Sequence, residues 1–330
     1  MALFAKDVGI DLGTANTLVY VKGKGVTVNE PSIVAYDEYT KKIFAVGEEA
    51  KEMVGRASRD VTIIKPMKDG VIADFTMTEA MLRYFVKKAQ SKNFLFGPRV
   101  CVCVPSEVTE VERRAVEDVV KSAGARKCFI IDEPMAAAIG AELDVGKPSG
   151  CMVADIGGGT TEVAVISLGG MVTNRSVPVA GNFLDAAIVS FVRKEFNLFI
   201  GDATAEKIKI ELGSALPYDD SQQMAVTGRD LLSGLPKSIE ISPDAVRDAM
   251  AEGVSAIVDA IKQVLEKTPP ELSADVIVNG IVLSGGGAQI RNLDRLITME
   301  TGIKAIVAQN PLECAVMGTG KALGAFRYFS

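Results

Sequence analysis

The sequence contains no histidine among its 330 residues. This absence excludes every catalytic triad that relies on an imidazole base, and every metal site that is built on imidazole nitrogen. Acid–base and metal chemistry must therefore come from Asp, Glu and Thr side chains. Such side chains suit the handling of water and of a hard cation such as Mg²⁺.

Long apolar runs are also missing. No segment approaches the roughly 20 apolar residues that a membrane-spanning helix needs. The chain enters a strand-like pattern within its first few residues, so we expect no secretory signal peptide. Its length allows two domains, and its high apolar content predicts a globular core. The formal net charge of −6 argues against general nucleic-acid binding.

Cysteine is scarce and shows no disulfide spacing. An odd number of cysteines in apolar segments is typical of reduced thiols in the core of a cytosolic protein. Cys101 and Cys103 would share one face of a strand, but no further ligands cluster beside them in the sequence. We therefore expect no metal site there. The cysteines are Cys101, Cys103, Cys128, Cys151 and Cys314.

A glycine-rich turn between two strand-like segments is the most informative feature. An apolar segment, residues 151–154, leads into Asp155, three glycines follow at 157–159, and residues 161–166 alternate like a second strand. Successive glycines allow backbone N–H groups to converge on an anion. A hydrated Mg²⁺ would remove the repulsion between Asp155 and a phosphate.

The same pattern occurs earlier in the chain. Residues 11–21 align with residues 155–165 without a gap, so that Asp11 falls on Asp155. Two copies indicate duplicated lobes that face each other, with both turns holding one polyphosphate. A single turn of this kind would be weak evidence, because ordinary glycine turns are common. The matching register of two copies argues against that plainer interpretation.

Several helix signals organise the rest of the chain. The alternation of strands and helices from residue 99 to 143 predicts parallel strands in a sheet covered on both faces. Thr109 and Glu112 have the spacing of a capping box. Pro134 follows Glu133 and predicts the first turn of a short helix of small apolar residues.

The C-terminal part carries further expectations. Residues 268–271, Thr-Pro-Pro-Glu, are interpreted as a linker, and residues 278–283 as a buried strand. That strand leads into a third glycine-rich turn, residues 284–288, which would let a flat ring approach the backbone. The last helix, about 312–326, contains three glycines that each cost about 1 kcal/mol relative to alanine. Close helix packing or a hinge would justify them.

Two patterns each allow two interpretations. Glu206 and Lys209 share one face of a helix expected at 205–212, and they form either a solvated ion pair or a contact with a ribose or base.

Phe94, Leu95 and Phe96 lead into a Gly-Pro loop and are flanked by cations. One interpretation is that they insert at an anionic membrane surface, and the other is that the ring of Phe94 or Phe96 packs beneath the loop. The flanking cations are Lys87, Lys88, Lys92 and Arg99.

These motifs together resemble the actin, heat-shock chaperone and sugar kinase superfamily. Residues 11–14 and 155–161 are similar to its two phosphate motifs, and residues 284–288 to its adenosine motif. More narrowly, five stretches resemble the MreB/Mbl family of bacterial actins, and the similarity extends over essentially the whole chain. The five stretches are residues 9–17, 68–74, 133–141, 268–275 and 315–320.

The resemblance implies an α/β, actin-like ATPase fold of two duplicated lobes, with four subdomains around a nucleotide cleft. Lobe I would span residues 1–142 and contain subdomains IA and IB, with IB at about 32–74. Lobe II would span residues 143–330 and contain IIA and IIB, with IIB at about 182–245. The last helix, about 312–326, would return to lobe I.

The resemblance also implies a site for ATP and Mg²⁺. Asp11 and Asp155 would order the water molecules around Mg²⁺. Glu133 would position or deprotonate the attacking water, assisted by Thr160. The phosphates would contact Thr14, Ala15, Asn16, Gly157, Gly158, Gly159 and Thr160. The ribose and adenine would contact Glu206, Lys207, Ile208, Lys209, Gly285, Gly286, Gly287 and Ala288. Phosphoryl transfer depends on placement and charge neutralisation, and a lone carboxylate is a modest base, so slow turnover is expected.

The function that the resemblance implies is a cytoskeletal ATPase. Head-to-tail contacts with further copies would build filaments, paired antiparallel, on the inner face of the cell membrane. There the protein, cytoplasmic and peripheral, would guide cell-wall synthesis together with membrane proteins of the elongation machinery. It would use Phe94, Leu95 and Phe96 as its membrane-insertion loop and bind no nucleic acid.

Two other functions occur in the same superfamily. A sugar or acetate kinase would need an acceptor pocket with a general base, and no such constellation is evident. A chaperone ATPase would need a substrate-binding domain after its ATPase lobes. The fold alone does not separate these functions, whereas the five stretches listed above favour the cytoskeletal one.

Overall fold

The computed structural model describes residues 6–58, 60–90, 96–218 and 223–325. In the first half, the described residues form the elements β1 (Val8–Leu12), β2 (Asn16–Val21), β3 (Gly25–Pro31), β4 (Val34–Asp37), β5 (Ile43–Val46), α1 (Glu48–Glu52), β6 (Val61–Ile64), β7 (Met67–Lys68), β8 (Val71–Ile72), α2 (Phe75–Gln90), β9 (Arg99–Val104), α3 (Glu110–Ser122), β10 (Lys127–Asp132) and α4 (Glu133–Gly140).

In the second half, they form β11 (Cys151–Ile156), β12 (Thr161–Ser167), β13 (Gly170–Val177), α5 (Gly181–Phe196), β14 (Leu198–Phe199), α6 (Asp202–Leu212), β15 (Met224–Asp230), β16 (Pro236–Ile241), α7 (Pro243–Lys267), α8 (Pro270–Asn279), β17 (Ile281–Ser284), α9 (Leu293–Thr301), β18 (Ala305–Val307) and α10 (Cys314–Ala325). Short 3₁₀ turns lie at Gly286–Gln289 and Pro311–Glu313.

Two five-stranded sheets share one topology. The first has the order β10-β9-β1-β2-β3 and the second the order β18-β17-β11-β12-β13. In each sheet a central antiparallel hairpin continues into parallel strands on one side. The hairpins also share a register, since Asp11 pairs with Leu18 and Asp155 pairs with Glu162. The duplication predicted from the sequence is therefore confirmed at the level of individual strand pairs.

Each large sheet carries its own hydrophobic core. Phe85 of α2 is fully buried against the first sheet, while Ile188 of α5 and Ile257 of α7 are fully buried against the second. Burying a side chain of this size contributes about 1.5–3 kcal/mol. Two smaller sheets, β5-β4-β6 and β14-β15-β16, extend from these cores. The two cores leave the facing ends of the central hairpins free to form a site between them.

Helix α10 crosses back to the first sheet. It packs against α4 and β1. A Cβ atom added at Gly318 would collide with the backbone carbonyl of Ala136 in α4, so only glycine permits this approach. The close helix packing expected from the glycines of the last helix is thus confirmed. Because α4 begins at Glu133, this packing also fixes one edge of the site.

Local sequence signals predict some elements correctly and others wrongly. The capping box is confirmed, since the Thr109 N–H donates to Glu112 Oε2 at 2.8 Å and the Glu112 N–H donates to Thr109 Oγ1 at 3.2 Å. The linker expected at 268–271 is wrong, because α8 begins at Pro270. The buried strand expected at 278–283 is confirmed only from Ile281, where β17 begins, whereas Val278 belongs to the end of α8 and is 84% exposed. Pro270 occupies the first turn of α8, where proline favours helix initiation. Helix α6 begins at Asp202, three residues before the expected start.

Candidate functional site

A cavity of about 580 Å³ lies where the central hairpins of the two large sheets face each other. This volume falls within the range of small-molecule sites. Both glycine-rich turns, the start of α4, helix α6 and the turn after β17 contribute to its wall. The sequence-predicted residues that line it are Asp11, Thr14, Ala15, Asn16, Glu133, Asp155, Gly157, Gly158, Gly159, Thr160, Glu206, Lys209, Gly285, Gly286 and Gly287.

The two turns present backbone donors to the cavity. Among the described residues, the N–H groups of Ala15, Gly158 and Gly159 find no protein acceptor. The turns also touch, because a Cβ atom on Gly158 would lie 2.5 Å from Cβ of Ala15. Unused donors that converge from two sides are what a phosphate group requires. These residues therefore fit a polyphosphate.

Two carboxyl groups lie at the ends of β1 and β11. Asp155 is 9% exposed and accepts a hydrogen bond from the Ser284 hydroxyl at 2.9 Å. Burial and the negative charge of Asp11 raise the pKa of Asp155 to about 7, and burial raises the pKa of Asp11 to about 6. Neighbouring buried carboxylates are stabilised by a cation, and oxygen donors suit Mg²⁺. The donor set thus fits the expected ion.

Glu133 lies at the first residue of α4, close to these carboxyls. Its side chain accepts a hydrogen bond from no described residue. Burial, followed by the charges of Glu162, Asp11 and Asp155, raises the pKa of Glu133 well above its ordinary value. A carboxylate that lines the cavity without a fixed partner is available to a water molecule or a substrate.

Cys103 is a neighbour that sequence reasoning did not place here. Its Sγ lies 3.6 Å from Asp11 Oδ1, and the ligand atoms of Asp11, Cys103 and Glu133 lie within 4.8 Å of one another. Burial and the charge of Asp11 raise the pKa of Cys103 well above its ordinary value. The thiol therefore stays protonated and donates to Asp11, whereas a thiolate would be needed to bind a metal.

The other end of the cavity is bounded by α6. Lys209 Nζ lies 2.8 Å from Asp185 Oδ1 and donates to the Gly181 carbonyl at 3.1 Å, and both charged side chains are only 14% exposed. Lys209 therefore forms its ion pair with Asp185 of α5, and not with Glu206 of its own helix. Ile210 is 71% exposed and also lines the cavity, which gives this end an apolar surface.

Three predicted contact residues point elsewhere. Ile208 is fully buried in the second core, Ala288 is 2% exposed in the same core, and Lys207 faces solvent, where it pairs with Glu211. The structure adds lining residues that the sequence did not single out: some lie beside predicted residues in the same segments, and others lie in segments that reach the cavity only through tertiary packing. They are Gly13, Leu18, Gly70, Gly181, Asn182, Asp185, Ile210, Gly213, Gln289, Ile290, Arg291, Pro311, Leu312 and Ala315.

The structure describes only part of the predicted membrane-insertion loop. Phe94 and Leu95 lie outside the described residues, whereas Phe96 is 43% exposed. Of the flanking cations, Arg99 is held in an ion pair with Asp7 at 2.7 Å. Lys88 pairs with Glu30. Within residues 6–58, 60–90, 96–218 and 223–325, no helix combines the length and hydropathy that crossing a membrane requires.

Comparisons with known proteins point in one direction. A family model described as MreB/Mbl protein matches residues 5–330. The chain is 51% identical over 326 residues to the cell shape-determining protein MreB of Escherichia coli (strain K12), covering 97% of this chain and 94% of that protein. It is 47% identical over 321 residues to the cell shape-determining protein Mbl of Bacillus subtilis (strain 168), covering 97% and 96%.

Solved structures agree with these relatives. The crystal structure of MreB 5 of Spiroplasma citri bound to AMPPNP is 39% identical, with a TM-score of 0.93 over 99% of this chain and 97% of that one. The ADP-bound structure of the same protein, also 39% identical, gives a TM-score of 0.90 over 99% and 96%. These matches confirm the actin-like α/β fold that was expected from the sequence.

Proposed function

The chain belongs to the MreB/Mbl protein family, and on this premise we propose that it is an ATP-dependent, filament-forming bacterial actin. It binds ATP with Mg²⁺, hydrolyses it slowly to ADP and phosphate, and assembles on the inner face of the cell membrane to organise cell-wall synthesis and maintain rod shape. One observation carries the proposal: two hairpins of identical register face one cavity, each with a buried carboxyl before a turn of unused N–H donors.

The phosphates lie between the two turns. Backbone N–H groups of Ala15, Gly158 and Gly159 donate to phosphate oxygens, because they have no acceptor within the described protein. Gly70 supports this arrangement from a third side, since its N–H donates to Thr14 Oγ1 at 2.9 Å. Donors fixed before the ligand arrives stabilise developing charge without reorganisation.

Two carboxyl groups of the cavity wall fit a divalent cation. Asp11 and Asp155 would hold Mg²⁺ through its water molecules, and the ion would supply neutralisation of the phosphate charge. A bound cation would offset the burial and the negative charge of Asp11 that raise the pKa of Asp155, so that both carboxyls would be ionised.

Glu133 serves as the general base. Its carboxylate orients the attacking water and accepts its proton, and the Thr160 hydroxyl lies on the same cavity wall to assist. Because the carboxylate sits at the first turn of α4, and α4 packs on β11 and β12 of the second sheet as well as on α10, its position depends on the interface between the two halves. Hydrolysis is thereby coupled to the relative placement of the lobes.

Assembly follows from the same coupling. Lobe I comprises residues 1–142 and lobe II residues 143–330, with the last helix, about 312–326, returning to lobe I and the nucleotide between the lobes. Closure of the lobes around ATP changes the surfaces that contact the next copy, so head-to-tail protofilaments form and pair antiparallel. Phe94, Leu95 and Phe96 insert into the membrane, where proteins of the elongation machinery bind the filament. The names of the relatives, which are cell shape-determining proteins, support this role.

Electron microscopy of the purified protein tests the proposed function. We expect filaments with ATP and Mg²⁺, paired filaments on vesicles of anionic lipid, and few or none without nucleotide. Protein that remains dispersed under all of these conditions would contradict the assembly role. The kinase alternative gains no support from the whole-chain match to MreB/Mbl, and phosphate transfer to a panel of sugars tests it directly.

A further inference from the structure

A buried polar junction connects the two lobes behind the cavity. It joins the loop after β9, residues 105–107, to the strands β12 and β13. Glu162, which is fully buried, accepts hydrogen bonds from the Ser106 N–H at 3.0 Å and the Ser106 hydroxyl at 2.6 Å. Its other carboxyl oxygen accepts from the Ser176 hydroxyl. One side chain thus holds together a loop of lobe I and a hairpin of lobe II.

The internal duplication shows that a charged residue is not needed here for the fold. Glu162 pairs with Asp155 in the second hairpin, and the same position of the first hairpin is occupied by Leu18, which pairs with Asp11. A buried carboxylate is costly, and burial raises the pKa of Glu162, opposed by the hydrogen bonds from Ser106 and Ser176. The hairpin accommodates leucine in one lobe, so a glutamate in the other calls for a separate reason.

The junction lies between the two groups that act on the attacking water. In the parallel register of β9 and β10, Val104 pairs with Asp132, so the loop that contains Ser106 and the helix that starts at Glu133 leave the same edge of the sheet. On the other side, Glu162 follows Thr160 by two residues.

The turn at Gly70 shows how close the two sides are. A Cβ atom on Gly70 would lie 2.5 Å from Cγ of Pro105 and 3.4 Å from Cγ2 of Thr160. The junction loop and the second phosphate turn therefore adjoin the same residue.

We infer that Glu162 is a positioning residue for hydrolysis, which clamps the 105–107 loop onto β12 and β13 and thereby fixes Glu133 relative to Thr160 and the nucleotide. This inference rests on the proposed ATPase function. A shift of about 1 Å in a catalytic group costs up to about 100-fold in rate. The N–H donors of Ala15, Gly158 and Gly159 form no hydrogen bond with Glu162. Loss of the clamp should therefore lower kcat and leave affinity nearly intact.

The rim of the junction supplies a matched control. Glu107, in the same loop, accepts from the Ser176 N–H at 3.2 Å and lies 3.7 Å from Arg175 Nη1. Its side chain is 42% exposed and that of Arg175 is 44% exposed, so water replaces these contacts when they are lost. The substitution Glu107→Ala removes interlobe contacts but deletes none of the groups that donate hydrogen bonds to Glu162.

The test compares Glu162→Leu, Glu162→Gln and Glu107→Ala with the wild-type full-length chain. Leucine is the residue of the first hairpin and forms none of the bonds, whereas glutamine keeps an acceptor for Ser106 and a polar partner for Ser176. ATP hydrolysis is measured per nucleotide-binding site, and ATP affinity is measured separately. We expect Glu162→Leu to lower kcat by about 10- to 100-fold with affinity within about threefold. Glu162→Gln should restore most of the rate, and Glu107→Ala should stay within about twofold.

Other outcomes separate the two proposals. Unchanged kcat per binding site in Glu162→Leu, or an equal loss in Glu107→Ala, would overturn the positioning role while leaving the ATPase intact. If Glu162→Leu does not fold, Ser106→Ala decides in its place, because it removes the 2.6 Å bond and keeps the backbone one; a normal rate there would overturn the inference. Wild-type protein that binds no ATP would instead remove the proposed function.

Discussion

Asp155 occupies the same position in the second hairpin as Asp11 does in the first, and the negative charge of Asp11 adds to burial in raising the pKa of Asp155 to about 7. The duplicated hairpins thus bring two acids together at the point where their strands end. Each acid is disfavoured in its charged form unless a cation is present. The proximity of the two acids therefore favours the binding of a cation between them.

The first prediction concerns pH. The folded protein retains a proton on Asp155 up to about pH 7, whereas the unfolded chain loses it near the ordinary pKa of 3.8. The unfolded state therefore binds fewer protons, and the contribution of Asp155 to stability falls as pH rises from about 4 to about 7. Without nucleotide or divalent cations, Asp155→Asn should become steadily more stable relative to wild type over this window. Melting temperatures across it provide the measurement.

Asp37, whose pKa is lowered and not raised, provides the control for that experiment. The backbone N–H of Thr40 lowers the pKa of exposed Asp37 below 3.8. The stability difference between Asp37→Asn and wild type should therefore stay constant above about pH 5, where this carboxyl is ionised in both states. If the stability difference between Asp155→Asn and wild type were equally independent of pH, this would contradict the raised pKa of Asp155. After Mg²⁺ and ATP are added, the wild type should be more stable than Asp155→Asn.

The second prediction concerns the base. Glu133→Gln keeps the shape of the side chain but cannot accept a proton, so hydrolysis should fall by about 100-fold or more while ATP still binds. Phosphate release and equilibrium binding are measured in parallel. Glu142→Gln is the control, since Glu142 lies just beyond the same helix with its side chain 81% exposed. Undiminished hydrolysis in Glu133→Gln would remove this residue from the mechanism.

The third prediction tests the approach of the two phosphate turns. A methyl group at Gly158 would lie 2.5 Å from Cβ of Ala15, so Gly158→Ala should push the turns apart and weaken ATP binding by about tenfold or more. Gly146→Ala serves as the control, because a Cβ there meets no atom within 4 Å. Equal affinities for the two variants would show that the turns do not grip the phosphates together.

The fourth prediction concerns the membrane. Changing Phe94, Leu95 and Phe96 together to Ser removes the apolar side chains that would enter the lipid, so co-sedimentation with anionic vesicles should fall by about tenfold or more. Tyr39→Ser is the control, since Tyr39 is another apolar residue with 83% exposure, distant in sequence. Normal sedimentation of the triple variant would place the anchor elsewhere.

The central residues of the site could be predicted from the sequence, but not all of the residues that line the cavity. Asp11 and Asp155 were recognisable because two copies of one pattern share a register, and Glu133 because it starts a helix beside them. Gly70 and Arg291 were missed, since their segments meet the cavity only through tertiary packing. Ile208 was included wrongly because a helix turns its consecutive residues to different sides, and only some face the cavity.

The misread C-terminal segment has a similar cause. Consecutive prolines at 269 and 270 indicated a linker, yet proline is also favoured in the first turn of a helix, and α8 begins there. The apolar run from residue 278 predicted a strand, but its first residues end α8, where Val278 is 84% exposed, and only Ile281–Ser284 form the buried strand β17. Composition alone does not distinguish these alternatives, because they differ only in what the chain packs against.

Isothermal titration calorimetry with ATP measures the proposed nucleotide site itself. We expect one ATP to bind per chain when Mg²⁺ is present, and we expect binding to weaken by about tenfold or more when Mg²⁺ is removed or when Asp11 and Asp155 are both changed to Asn. No detectable binding of ATP with Mg²⁺ at concentrations on the order of 1 mM would contradict it.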